Sequence, residues 1–461
     1  MKKDNFQGYK GDSLEILKKY NVRVWGTATI KTLRGTFKGT VLPRSENDDD
    51  QHIVLKIVTG YNIGIDVSTI ENMVETGYKK ANYKIPEKEF PKTPGLPKVK
   101  LFGTGGTIAS RLDYRTGAVI PAFSPGELYG AVPELADICN LETEKVFAVF
   151  SENMGPKQYM ALAKAIGKEI ENGIDGIVIG HGTDTLHHTG AALTFMVQNS
   201  PVPIVLVGSQ RSSDRPSSDA ALNLMHAMKT AGHSDIAEVM ICMFGPTSDE
   251  YGLLHKGTRV RKMHSSYRST FRTIGDTPLA RVNRNEIIPI KKTYKHRRKD
   301  KNVNILPYFN DKVTMLYYYP GMRPDTIDAL VDAGYEGIIF VGTGLGHVNK
   351  ELYPAIERAH KKGIHMYMTL QTIWGYVHMF VYDTGRDMMA KGIIPAGNML
   401  PEVAWVKLSW VLGQTSDPEE VKKMMLTPIN DEITTREPYN GYLVYQGGVP
   451  AVDEFVKNVH K

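Results

Sequence analysis

Two short glycine-containing turns place hydroxyls and an acid where acyl-transfer chemistry could use them. The first is Gly103-Thr104-Gly105-Gly106-Thr107, directly after the apolar Leu101-Phe102, and the second is Gly180-His181-Gly182-Thr183-Asp184-Thr185, directly after Ile177-Val178-Ile179. Ligands of open parallel sheets bind outside the carboxyl ends of the strands. Glycine removes the Cβ that would block close approach of the backbone, so each turn can present a threonine hydroxyl beside amide donors for a developing oxyanion. A nucleophile beside such donors implies acyl transfer. Each turn taken singly also reads as a plain connection from strand to helix; the occurrence of two favours the chemical reading. A threonine hydroxyl is a weak nucleophile at neutral pH and needs a base. In Gly257-Thr258-Arg259-Val260-Arg261-Lys262-Met263-His264, Lys262 lies among cations that disfavour an extra proton, so a neutral amine there could accept the hydroxyl proton. Spacing alone equally allows a surface lysine.

The elements that must position these groups read as α/β. From Val99 onward, short apolar runs at 100–102, 176–179, 204–207 and 239–242 alternate with helical patterns at 157–171 and 219–229. That alternation predicts parallel sheets covered by helices. A second α/β set follows, with strands predicted at 314–318, 337–341 and 365–369 and helices at 324–333 and 350–361. Residues before about 85 differ, with short strands at 22–25, 36–41 and 53–58 broken by glycines and polar turns, a spacing that suggests a small β-barrel. The acidic run Ser45 to Asp50 reads as a solvated hairpin loop. Four prolines between Pro86 and Pro97 make a stiff extended linker.

The expected organisation is a barrel over 1–85, the proline-rich linker over 86–97, an N-terminal α/β catalytic domain over 98–282, a basic linker over 283–302, and a C-terminal α/β domain with its tail over 303–461. Seven lysines and arginines between Lys291 and Lys301 suggest that the basic linker stays in water. Length alone, 461 residues, asks for about three compact units. A net charge of +6 is too mild to be a nucleic-acid signature by itself. Two distant cysteines, Cys139 and Cys242, support neither a disulfide framework nor a zinc site, and a reducing cytoplasm is the expected location. The basic start has no apolar signal-peptide core, and no apolar run approaches the ~18 residues that span a bilayer.

Thr104-Gly105-Gly106-Thr107-Ile108-Ala109, then His181-Gly182-Thr183-Asp184-Thr185, then Lys262 resembles the L-asparaginase family of amidohydrolases, with all three motifs in family order. The resemblance spans about 98–440 and includes Asn398-Met399-Leu400-Pro401-Glu402. The preceding extension, with Gly60-Tyr61-Asn62-Ile63-Gly64-Ile65, looks like that of the D subunits of archaeal glutamyl-tRNA(Gln) amidotransferases. By this resemblance Thr107 is the acylated nucleophile and Tyr114 the tyrosine of a closing loop, which would exclude water during attack. Thr183, Asp184 and Lys262 are the second triad. Ser151 and Glu152, with Gly106, Gly182 and Asp184, match the stretches that hold the substrate's α-carboxylate and α-amine, although Glu152 replaces a glutamine common there.

The implied reaction is hydrolysis of the side-chain amide of glutamine or asparagine through a threonyl ester, without metal or organic cofactor on this chain. The implied partner is the E subunit of the amidotransferase, which uses ATP and Mg to amidate glutamate on tRNA(Gln). The chain has no Gly-x-x-x-x-Gly-Lys-Ser/Thr phosphate loop of its own. A homodimer within a heterotetramer is also implied. Against a dinucleotide-binding enzyme, Gly342-Thr343-Gly344-Leu345-Gly346 is followed by His347 where the fingerprint needs glycine three residues after the second. His181, His187 and His188 lack the His-Glu-x-x-His spacing of a zinc site. Two other readings stay open: a stand-alone asparaginase, and a silent tRNA-binding scaffold.

Overall fold

The computed structural model describes residues 5–44, 48–58, 62–78, 90–105, 110–112, 119–121, 132–211, 217–438 and 441–442. They divide into two compact units. One contains Met1–Phe150, Val178–Thr183 and Val207–Lys229; the other contains Ser151–Ile177, Asp184–Leu206 and Thr230–Lys461.

At the N-terminus, helix α1 (Gly11–Lys19) precedes strands β1 (Gly26–Thr32), β2 (Gly35–Val41), β3 (His52–Ile57), β4 (Asn62–Asp66) and β5 (Ile70–Tyr78). They form an antiparallel sheet in the order β4-β3-β2-β1-β5. Where a barrel was expected, the end strands β4 and β5 are not paired with each other among the described residues. The first strand starts four residues later than the apolar run Val22 to Trp25 suggests, because Trp25 takes a left-handed backbone (φ +70°) that interrupts extension. Val22, Val24 and Trp25 still enter the core, with Leu17, Ala28, Ile30, Ile53 and Leu55.

Eight further strands make the sheet that carries the two glycine turns. They are β6 (Lys98–Gly103), β7 (Asn140–Lys145), β8 (Gly176–Gly180), β9 (Ile204–Val207), β10 (Val239–Phe244), β11 (Gly252–Lys256), and two short strands beyond the hairpin β12 (Val260–Lys262) and β13 (Phe271–Thr273), namely β14 (Ala280–Val282) and β15 (Ile287–Pro289). The order is β15-β14-β11-β10-β9-β8-β6-β7, with β12 and β13 pairing separately. The sheet is mixed: β6 and β7 are parallel, whereas β10, β11, β14 and β15 are antiparallel in succession. The connection over 245–251 is too short for the crossover that a parallel neighbour needs. The fold class is α/β, as expected, and the second sheet is wholly parallel: β16 (Val313–Tyr317), β17 (Gly337–Gly342), β18 (His365–Leu370) and β19 (Ile393–Pro395), in that order.

The helices include α2 (Pro156–Glu171), α3 (Leu186–Met196), α4 (Ala220–His233), α5 (Asp325–Asp332), α6 (Tyr353–Lys361), α7 (Asp383–Ala390), α8 (Pro401–Leu412) and α9 (Pro418–Leu426). Helix α8 is buried almost all round, as its apolar sequence requires, and it packs against α3 as well as against β16 and β17. None of the described helices is long and apolar enough to cross a membrane.

Much of the basic stretch is exposed, Lys292, Arg298, Lys299 and Lys301 among it. Two of its cations also anchor it: Lys291 donates to Asp276 (2.6 Å) and Asp431 (3.0 Å), and Arg297 donates to the carbonyls of Ser234, Ala231 and Asp175. Close approach elsewhere depends on glycine: a Cβ at Gly257 would lie 2.8 Å from the carbonyl oxygen of Gly190 in α3 and 2.7 Å from Thr194 Oγ1. We therefore expect Gly257→Val to lower stability by about 1–3 kcal/mol through overpacking, read as an earlier denaturation midpoint, with a Gly77→Val control on the exposed edge strand β5, where a Cβ meets nothing closer than 4.0 Å, unaffected.

Candidate active site

The two glycine turns meet because β6 and β8 are neighbours in the sheet. Thr104 donates both its amide (3.1 Å) and its hydroxyl (2.9 Å) to the carbonyl of Gly180. That hydroxyl is committed to joining the turns and is not a free nucleophile. Gly105 has φ +115°, and a Cβ there would strike the carbonyl oxygen of Val149 at 2.2 Å, so only glycine fits the first turn. Gly106, Thr107 and Tyr114 lie outside the described residues.

In the second turn Gly182 and Thr183 are buried and Asp184 is 70% exposed. His181 is fully buried with Nδ1 2.6 Å from the carbonyl oxygen of Gly182. Burial outweighs that hydrogen bond and brings its pKa down to about 4, so it stays neutral and serves the shape of the turn. Gly208, after β9, lets the backbone close on this turn: its missing Cβ would lie 2.8 Å from Thr183 Cγ2 and 2.9 Å from the carbonyl oxygen of His181. The Gly208 carbonyl accepts from Asn223 Nδ2, and the buried Asp219 accepts from the amides of Gln210 (3.0 Å) and Arg211 (2.9 Å). Sequence reasoning missed Gly208, Asp219 and Asn223. The signal was a third glycine after the third apolar strand.

Lys262 Nζ donates to Asp184 Oδ1 at 2.7 Å, across 78 residues of sequence. Its side chain is only 10% exposed, so the lysine has turned inward. The cations expected to surround it are themselves engaged: Arg259 Nη1 donates to the carbonyls of Asn398 (2.8 Å) and Glu432 (3.4 Å), and Arg261 Nη1 lies 3.3 Å from Glu402. The preceding residues are fixed just as firmly. Thr258 Oγ1 donates to the Asn430 carbonyl at 2.7 Å, and Lys256 pairs with Asp431 at 2.7 Å and Glu238 at 3.2 Å.

Of the expected substrate-binding pair, Ser151 is buried and opens a short 3-10 turn, while Glu152 is exposed. The Ser151 carbonyl accepts from Thr185 Oγ1 at 2.5 Å, which ties this turn to the residue following Asp184. Within its own unit the chain brings together Ser151, Asp184 and Lys262, and Thr183 adjoins Asp184 in sequence. An amine held on an exposed carboxylate is equipped to relay protons. Cys139 and Cys242 are buried, and burial raises both thiols, the former to about 12, so neither is a reactive thiolate at neutral pH. Among the described residues no cluster of three His, Cys, Asp or Glu could hold a metal.

Two outcomes are expected from this geometry. Gly208→Ala should displace Thr183 and cut the rate of acyl transfer at this turn by about tenfold or more, and an unchanged rate would mean that the turn has slack. Stability should also fall with acid. His181, held to about 4, and His255, buried and held to about 3, are neutral when folded, whereas unfolded histidine titrates near 6.5. Their contribution is complete above pH 6.5 and is lost as pH falls below it, because the unfolded chain takes up the protons, by about 1.4 kcal/mol per pH unit for each histidine. Thermal unfolding midpoints between pH 7 and 5 should decline less steeply in His255→Gln than in the wild type.

Comparison with known proteins agrees with the geometry. Residues 98–294 match the family described as Asparaginase, N-terminal, residues 312–425 the Glutaminase/Asparaginase C-terminal domain, and residues 25–75 the GatD N-terminal domain. The D subunit of the glutamyl-tRNA(Gln) amidotransferase of Pyrococcus abyssi is 46% identical over 93% of this chain and 99% of its own. Its counterpart from Methanopyrus kandleri is 45% identical over 94% and 96%. Among solved structures, the thermostable L-asparaginase from Thermococcus kodakarensis aligns with a TM-score of 0.65 at 31% identity, covering 73% of this chain and 99% of that one. With both asparaginase-type domains and the N-terminal extension accounted for, the chain belongs to the family of glutamyl-tRNA(Gln) amidotransferase D subunits.

Proposed function

We infer that this chain is the amide-hydrolysing component of a tRNA-dependent amidotransferase. It hydrolyses the side-chain amide of glutamine, or of asparagine, through a threonyl ester, and the ammonia serves a partner subunit that converts Glu-tRNA(Gln) to Gln-tRNA(Gln). The observation that carries this reading is the 2.7 Å contact between Lys262 and Asp184, directly beside Thr183.

A threonine oxygen attacks the amide carbon, and the oxyanion is held by amides of the glycine turns. The hydroxyl proton passes to Lys262 and on to the departing nitrogen, which leaves as ammonia. Water then cleaves the ester and restores the hydroxyl, with the side chain released as a carboxylate. Asp184 is open enough to meet the substrate's ammonium. When it does, the carboxylate is shared, and Lys262, freed from its ion pair, gives its extra proton to water and takes up the hydroxyl proton as a neutral amine. Thr107 and Tyr114, which the resemblance assigns to the first nucleophile and the closing loop, complete the proposed set, with Ser151, Glu152, Gly106 and Gly182 around the substrate's α-groups.

Ammonia near pH 7 is mostly ammonium, which has no lone pair to attack an activated glutamate, so transfer to the partner is confined. ATP and Mg belong to that partner, an E-type subunit, and the chain itself works without a cofactor. A homodimer within a heterotetramer is the proposed assembly, and tRNA(Gln) is engaged mainly through the complex. The alternatives, a stand-alone asparaginase or a silent scaffold, predict respectively turnover indifferent to charged tRNA and no turnover at all.

The test is ammonia release by the full chain, alone and with its partner subunit and Glu-tRNA(Gln). Thr107→Val, Thr183→Val and Lys262→Ala should each lose about 10²-fold or more in kcat/KM. Full activity in all three would overturn the site assignment, and an absence of any complex with an E-type subunit would overturn the role in translation.

A further inference from the structure

Helix α8 places a carboxylate where packing alone would put an apolar side chain. Glu402 is 4% exposed, in the first turn of α8, among the buried Val403, Ala404 and Val406. Its Oε2 takes Arg261 Nη1 at 3.3 Å, and its Oε1 lies 3.9 Å from His187 Nε2 and accepts no hydrogen bond among the described residues. Burial raises the pKa of this carboxyl against the opposing pull of Arg261. A buried acid with one oxygen unsatisfied weakens a fold rather than strengthening it. Stability therefore gives no reason for Glu402.

Its two neighbours supply one. Arg261 immediately precedes Lys262 on β12, and His187 stands three residues after Asp184, in the first turn of α3. One carboxylate thus reaches both of the segments whose side chains meet as the Lys262–Asp184 pair. Successive side chains of a strand point to opposite faces, so drawing Arg261 toward α8 directs Lys262 the other way. Arg261 is 32% exposed, whereas Lys262 is 10% exposed and engaged with Asp184.

We propose that Glu402 is a positioning residue for amide hydrolysis: by gripping Arg261 beside His187 it fixes β12 against α3 and sets the approach of Lys262 to Asp184. The proposal rests on the reading of Lys262 and Asp184 as the proton-handling pair. Glu402 touches no substrate and acts through Lys262.

Glutamine hydrolysis by the full chain with its partner subunit tests this. Glu402→Gln keeps the shape and removes the charge, and is expected to lower kcat about tenfold while KM changes less than about twofold. Arg261→Gln, made on the more exposed partner, should reproduce that loss and serves if Glu402→Gln does not fold. The decisive comparison uses the Lys262→Ala background, in which Glu402→Gln or Arg261→Gln should cost less than about twofold more, because the residue they act through is gone. An unchanged kcat in both single variants, a loss that appears only in KM, or an undiminished loss in the Lys262→Ala background would each overturn the proposal. If Lys262→Ala itself keeps full turnover, the reading of the site fails instead, and the two failures are thereby distinguished.

Discussion

The constraint on which the site depends is a single ion pair between side chains 78 residues apart, Lys262 and Asp184. A lysine amine beside an exposed carboxylate would ordinarily extend into water, where its ammonium is well solvated and its four-carbon stem free. Here the stem is enclosed and the amine is held on a carboxylate that itself faces solvent. Such a geometry survives only if both backbones are fixed independently of the pair. Asp184 is fixed by the turn between β8 and α3, with Gly208 closing on Thr183 and Thr185 tied to Ser151. Lys262 is fixed by β12.

What holds β12 is a set of charged groups buried where apolar ones would be more stable. Lys407 and Glu432 are both fully buried and meet at 2.6 Å, and Glu432 also accepts from the amides of Ile429 and Asn430. Lys407 further donates to the carbonyls of Met425 and Thr427, so this pair fastens the segment after α9 onto α8. The fastened segment then presents the Asn430 carbonyl to Thr258, the Glu432 carbonyl to Arg259 and the Asp431 carboxylate to Lys256. Desolvation makes buried ion pairs weak contributors to stability, but breaking one leaves a stranded charge, so they discriminate sharply against any other register. Precision at Lys262 comes from such pairs. The Gly190–Gly257 approach adds the complementary requirement that nothing separate α3 from the turn leading to β12.

Much of the frame was legible because burial writes itself into periodicity. The apolar runs at 176–179, 204–207 and 337–341 became fully buried strands within a residue or two of their expected limits. Elsewhere local pattern misled for identifiable reasons. Val22 to Trp25 is apolar enough for a strand, yet the left-handed Trp25 turns it into a core-filling entry to β1. Helix α1 buries only Ser13 and Leu17 fully, too few positions to raise a clear helical period. In the basic stretch from Lys291 to Lys301, largely exposed as its charge suggests, the anchoring of Lys291 and Arg297 was not legible because their partners, Asp276, Asp431 and the carbonyl ends around Ser234, are remote in sequence.

By itself the sequence determined the chemistry available: threonines in glycine turns after strands, an aspartate beside one of them, and a lysine downstream. Those features are local, since a turn's backbone freedom and a side chain's functional group depend on a few adjacent residues. Only the tertiary structure decided which of several cations turns inward, which threonine hydroxyl is consumed in joining the turns, and which carboxylate of the C-terminal half stands behind Arg261. Each of these depends on desolvation and on partners brought in from distant parts of the chain, and neither quantity exists until the chain has folded.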